Sequence, residues 1–147
     1  MTSGVKVGDC CKAKFLQLSL TTQKQQKIVF FVMKFSDDMK KIIVERFGTL
    51  EDCGSYDNLI TSLPIDDVRY VCFDFEYINK DNCRKSDILL ISWHPDGSSV
   101  RKKMICASSF SALKSSLGIS RNVLEGDCYS EVDSKAALEK VGGKALP

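Results

Sequence analysis

Apolar positions along the chain follow two rhythms, one helical and one extended, and their alternation predicts the elements. Cys11, Phe15 and Leu18 recur at i, i+4 and i+7 behind Asp9, a residue type that caps helix N-termini, which predicts a short amphipathic helix. After a polar turn over 21–27, residues 28–35 are β-branched or aromatic on both parities. That is the pattern of a strand covered on both faces, so its sheet is expected to carry helices on each side. Asp37-Asp38 makes a turn, and 41–47 reads as a second strand able to pair antiparallel with the first, ended by Gly48. A short helix is predicted over 56–63, a long strand over 68–78, a polar loop over 79–85 and a fully apolar strand over 88–93. His94-Pro95-Asp96-Gly97 stops that strand, and Ser98 or Ser99 can cap a long helix, Val100 to Leu117, that ends before Gly118. Residues 121–125 are the candidate for a last short strand, and 131–141 are helical by composition. With no internal repeat, the prediction is one α/β domain over 1–147, flexible at 1–6 and frayed at 142–147.

The long helix is the informative element. Cys106, Phe110, Leu113 and Leu117 fall within an arc of about 60° and turn one face into the core. The opposite face then carries Arg101, Met104, Ser108, Ser111 and Ser115, with Lys102 and Lys103 beside them. These short side chains lack the Glu/Lys pairs that usually support a solvated face. Two readings stand: a merely solvated helix, or one whose small residues let another surface approach closely.

Charge and composition narrow the function classes. Lys and Arg total 21 against 19 Asp and Glu, a net charge of +2, short of the strongly basic balance of a dedicated nucleic-acid binder. The longest apolar run, 28–33, cannot span a bilayer that needs roughly 20 residues, and 1–6 lacks a signal-peptide apolar region, so a cytoplasmic protein is expected. The seven cysteines contain no Cys-x-x-Cys pair and read as reduced, and His94 is the single histidine, so neither a closed zinc site nor any cofactor is expected. No Gly-x-Ser-x-Gly turn supports a hydrolytic triad on His94, whose plain reading is a surface turn. Gly142-Gly143-Lys144 has Ala145 where a phosphate loop needs Ser or Thr. Lys80/Arg84/Lys85 and Lys40/Lys41 have the charge to meet phosphoinositides or an acidic partner, with solvated loop charge as the plainer account.

Several segments go beyond class. Met1-Thr2-Ser3-Gly4-Val5, the strand Arg69-Tyr70-Val71-Cys72-Phe73-Asp74-Phe75-Glu76-Tyr77, and Ser86 through Trp93-His94-Pro95-Asp96 into Val100-Arg101-Lys102-Lys103-Met104-Ile105-Cys106-Ala107-Ser108-Ser109 closely resemble the actin-depolymerising factor/cofilin family. The likeness is collinear over 3–141. It implies the ADF-homology fold, a central five-stranded mixed sheet flanked by helices on both faces. It also implies a non-enzymatic, monomeric, cytoskeletal protein that binds actin monomers, preferring the ADP form, and filaments, and that promotes filament disassembly. In the family the long helix inserts between two actin subdomains. The resemblance therefore assigns monomer contact to Arg101, Lys103 and Met104, with Ser108 on the same face and Ser3, Gly4 and Val5 at the N-terminus. A serine at the position of Ser3 is the family's inhibitory phosphorylation site, where phosphate adds about −1.5 to −2 charges beside an acidic partner. The filament surface falls to Arg84, Lys85, Glu139 and Lys140.

Two departures stand beside these matches. The family's basic-x-basic pair is here Lys85-Ser86-Asp87, and Gly143 stands where a further base is expected after Glu139-Lys140. Monomer binding is therefore expected to be stronger than filament severing. The competing classes are a coactosin-like filament side-binder that does not sever, and a small enzyme using a reactive thiol.

Overall fold

The segment that is apolar on both parities becomes a central strand with a core on each side. The elements, in a computed structural model that describes residues 5–20, 28–119 and 121–144, are β1 (Lys6–Val7), α1 (Asp9–Leu20), β2 (Phe30–Phe35), β3 (Lys41–Gly48), α2 (Leu50–Cys53), α3 (Tyr56–Thr61), β4 (Arg69–Ile78), β5 (Arg84–Trp93), α4 (Val100–Leu117), β6 (Val123–Gly126) and α5 (Ser134–Val141). One mixed sheet runs in the order β1-β3-β2-β4-β5-β6. Its four inner strands pair antiparallel, and β1 and β6 join in parallel at the edges.

Side-chain alternation divides the sheet between two cores. Phe31, Met33, Tyr70, Cys72 and Leu90 pack with Cys11 and Leu18 of α1 and with Cys106, Phe110, Leu113 and Leu117 of α4. On the other face Phe30, Val32, Val71, Phe73, Leu89, Ile91 and Trp93 pack under Tyr56, Leu59 and Ile60 of α3 and Ala137 of α5. Because both faces are filled, a one-residue slip of β2 would exchange its residues between two differently shaped cores, so the register is doubly fixed.

The five longer strands are those the resemblance implies, and β1 adds a sixth. Two residues carry no periodicity to read. β1 exists through tertiary pairing alone, Lys6 opposite Lys41 and Val7 opposite Ile42. Lys6 N–H donates to Lys40 (2.9 Å) and Gly8 N–H to Ile42 (2.8 Å), so Lys6, expected to be flexible, is paired in the sheet. At the other end the chain expected to fray from 142 is held as far as Lys144, which exchanges two backbone hydrogen bonds with Ile78 (2.8 and 2.9 Å). The polar loop is shorter than predicted because β5 begins at Arg84. The last helix begins at Ser134, where the Asp133 side chain accepts from Ala136 N–H, and a single 3-10 turn, Tyr129–Glu131, precedes it. His94 is half-buried, 4.0 Å from Glu125. The turn read over 21–27 lies outside the described residues.

Candidate docking surface

Helix α4 has the bounds its local signals predict. Ser99 accepts from Lys102 N–H at the N-terminus, and Gly118, at φ +70°, closes the C-terminus with its N–H on Lys114 and Ser115. Cys106, Phe110, Leu113 and Leu117 are buried, and Arg101, Ser108, Ser111 and Ser115 are exposed. Val100 (69% exposed) and Met104 (66%) stand on the same outward side, two of the five large apolar side chains exposed among the described residues. A third, Ile65, belongs to the loop against which α4 starts. Its carbonyl lies so close to Gly97 that a Cβ there would meet it at 2.2 Å.

The charges on this turn run against helix stability. The first turn holds no acidic residue, and cations near the positive end of a helix dipole cost a few tenths of a kcal/mol each. Lys102 is offset by Asp67 at 3.2 Å. Arg101 and Lys103 have no carboxylate partner among the described residues. An exposed methionine and valine beside two uncompensated cations, over a serine-lined face, are poorly explained by solvation and well explained by a partner that supplies apolar surface and negative charge.

The face is held rigidly. The Tyr70 hydroxyl donates to the Cys106 carbonyl in mid-helix, and its ring stacks on Phe110 with centroids 5.7 Å apart. Trp93 Nε1 donates to the Pro64 carbonyl at 2.6 Å, tying the 64–67 loop beneath the turn. Asp67 joins Lys102 to Arg69 (2.8 Å), and Arg69 also pairs with Glu45 (3.1 Å). Burial alone would raise the Asp67 carboxyl, but hydrogen bonds from Arg69, Lys102 and Val68 N–H outweigh it and hold the pKa below the usual carboxylate value. Val5 is half-buried against the same core as α4, and β1 packs on α4. Ser3 and Gly4 lie outside the described residues.

The residues assigned to the filament surface are less uniformly grouped. Adjacent on β5, Arg84 and Lys85 point to opposite faces of the ribbon. Arg84 pairs with Glu76 at 3.2 Å on the α4 side, whereas Lys85 stands opposite Tyr77 on the α5 side. Glu139 and Lys140 are exposed on α5. Lys140 lines an open cavity of about 520 Å³ with Tyr77, Asp87, Arg121, Asn122 and Val141. Arg121 is a cation of this surface that the sequence placed only in a short strand. Its signal was its position just before β6, which the parallel pairing to β5 brings beside Asp87 and α5. Gly143 cannot carry the expected base. A Cβ there would stand 2.2 Å from the Tyr77 ring and 2.8 Å from the Ile78 carbonyl. The next residue, Lys144, is an exposed cation.

Thiol chemistry finds little support in the interior. Burial pushes Cys11 up to about 12 and raises Cys72 and Cys106 as well, keeping these thiols protonated and poorly nucleophilic. Cys10, Cys83 and Cys128 are exposed. Asp127, Cys128 and Glu131 bring possible metal-ligand atoms within 4.8 Å of one another, but Glu131 already accepts from the Asp127 N–H at 2.8 Å. No helix among the described residues is long and apolar enough to cross a membrane.

A mixed sheet between two helical layers, with a small-residue helix face displayed at one side, defines a docking module. Residues 4–142 match the family of cofilin/tropomyosin-type actin-binding proteins, and the chain belongs to that family. It is 41% identical over 144 residues to actin-depolymerizing factor 1 of Oryza sativa subsp. japonica, covering 98% of this chain and 96% of that one. Against actin-depolymerizing factor 9 of Arabidopsis thaliana it is 40% identical over 129 residues, 87% of this chain and 82% of the relative. Among solved structures, Streptomyces griseoflavus cofilin superposes with a TM-score of 0.79 at 28% identity, covering 93% of this chain and 96% of that one. The ADF-like UNC-60A protein of Caenorhabditis elegans also gives 0.79, at 27% identity, covering 97% and 96%. Coactosin from Entamoeba histolytica, at 14% identity and 0.76 over 95% and 96% of the two chains, shares the fold.

Proposed function

We propose that this protein binds actin and promotes filament disassembly, docking on the monomer through the exposed face of α4. The observation that carries the reading is the pair Arg101 and Lys103, without carboxylate partners among the described residues, beside the exposed Val100 and Met104 on a face otherwise built of serines. Met104 supplies apolar area to a cleft, Arg101 and Lys103 meet an acidic rim, and Ser108 allows close approach. Ser3, Gly4 and Val5 are assigned to the same contact by the family resemblance. ADP-actin is the preferred form, and phosphorylation of Ser3 opposes docking by placing negative charge beside an acidic partner. Filament contact uses Lys85, Glu139 and Lys140, with Arg84 engaged by Glu76 and contributing less. Asp87 reverses the sign of one rim position, which makes filament side-binding and severing weaker than monomer binding.

The test is the double variant Arg101→Ala/Lys103→Ala. Both are surface changes, so stability is expected to move by no more than about 0.5 kcal/mol. Affinity for ADP-actin monomer should fall by about 2 to 4 kcal/mol, roughly 30- to 1,000-fold, as cations in a desolvated contact are removed. Ser3→Glu should weaken binding while Ser3→Ala leaves it near wild type. Unchanged monomer affinity in the double variant would remove α4 from the interface.

A further inference from the structure

Asp87 and Gly143, two separate departures from the family pattern in the sequence, meet at one side chain. Tyr77 is only 7% exposed and sits on β4 opposite Lys85. Its hydroxyl reaches diagonally along the same face and donates to Asp87 at 2.7 Å. Gly143 packs on the ring so closely that a Cβ would stand 2.2 Å from Cδ2. One residue before, Gly142 at φ +73° turns the chain out of α5, with its N–H on the Leu138 carbonyl at 2.9 Å. One residue after, Lys144 N–H donates to Ile78 at 2.8 Å and Ile78 N–H donates back at 2.9 Å.

Residues 142–144 thus fold back from α5 and lie along the end of β4, across the Tyr77 ring. Lys140, in the last turn of α5, and Lys144 are both exposed, one on each side of this contact. Their positions relative to Lys85 on the neighbouring strand therefore depend on whether the segment stays seated. Asp87, half-buried, also has a role within the molecule. Its carboxylate accepts the hydrogen bond that the Tyr77 hydroxyl donates at the edge of the core.

We infer that Tyr77 is a positioning residue of the filament-side surface: its hydroxyl on Asp87 and its ring beneath Gly143 strap the C-terminal segment to the β4–β5 hairpin and so aim Lys140 and Lys144, together with Lys85, at an acidic partner. The identity of that partner as the actin filament side rests on the function proposed above. Tyr77→Phe removes only the hydroxyl, and Gly143→Ala lifts the segment from the ring without touching the hydroxyl. Asp87→Asn keeps an acceptor for Tyr77.

Amide exchange at Ile78 and Lys144, measured on the full chain beside filament co-sedimentation and monomer affinity, separates the possibilities. Tyr77→Phe is expected to speed exchange of both amides by about fivefold, the loss of one modest hydrogen bond, and Gly143→Ala, whose Cβ meets the Tyr77 ring and the Ile78 carbonyl, by at least as much. Both should also weaken filament binding by about three- to tenfold with monomer affinity unchanged, a split that general destabilisation would not produce. Asp87→Asn should retain slow exchange. Amides as slow in Tyr77→Phe as in wild type would overturn the strap. Loosened amides with unchanged filament affinity would overturn the positioning role. A wild-type protein that fails to sediment with filaments would strike the proposed partner, and the positioning role with it, while the amide contrast would still report the strap by itself.

Discussion

Replacing Asp67 by alanine tests how the N-terminal end of α4 is held. The carboxylate accepts from Arg69 Nη1 at 2.8 Å, Lys102 Nζ at 3.2 Å and Val68 N–H at 2.9 Å. Arg69, whose side chain is 12% exposed, keeps Glu45 at 3.1 and 3.3 Å. No buried charge is orphaned, so the cost of about 3 to 5 kcal/mol for breaking a buried pair does not apply. The change deletes one partly buried charge-assisted bond, worth about 1 kcal/mol, a solvent-screened pair to Lys102, about 0.5, and one bond to the backbone, about 0.5. Together these come to about 2 kcal/mol, a fall in Tm of about 4 to 8 °C for a chain of this size. Asp67→Asn keeps a neutral acceptor and should lose about half as much. The pH dependence follows from the direction of the carboxyl's shift. Because its pKa is lowered in the folded state, its stabilisation is fully present above the unfolded value of about 3.9 and lost as pH falls through the lower folded value. The gap between wild type and Asp67→Ala, measured by urea denaturation, should therefore be constant near neutrality and close on acidification below about pH 4. A gap under about 0.5 kcal/mol, or one that persists unchanged to about pH 2, would refute the assignment of this stabilisation to the three Asp67 contacts.

Tyr70→Phe removes the hydroxyl that reaches the Cys106 carbonyl but leaves the ring on Phe110 and the helix ladder intact. Urea denaturation should show a loss of about 1 kcal/mol, and a loss above about 3 would mean the hydroxyl organises more than this one contact. Thiol labelling at neutral pH should modify Cys10, Cys83 and Cys128 in the folded protein and reach Cys11, Cys72 and Cys106 only in denaturant. One unusually fast thiol among the buried three would restore the thiol-enzyme reading.

Local signals and tertiary pairing divide what is legible in the sequence. The bounds of α4 can be read because Ser99, Gly118 and the Cys106/Phe110/Leu113/Leu117 stripe act within the helix itself. Its outward face follows by subtraction. β1 and the four-residue α2 cannot be read, since segments so short have no period and depend on distant partners. The polar start of β5 at Arg84 reads as loop because its first residues are exposed and held by pairing with β4, not by an apolar face. Gly143 is illegible for a similar reason. Its neighbour in space, Tyr77, is far away in the chain, and only the packing shows that a side chain has no room there.

The borders of the sheet have a consequence for how copies of this protein treat one another. Its two outermost strands are two and four residues long, so neither offers a lengthy row of unpaired amides and carbonyls. Beyond the short reach of β1, residues 43–48 of β3 are left without a strand partner on that side among the described residues, but there the chain presents the exposed Glu45 and Arg46, and its register against β2 is broken at Val32/Met33. Blunt, charged, irregular borders keep two copies of the chain from stitching their sheets together edge to edge, so a high concentration of the folded protein does not by itself seed aggregation.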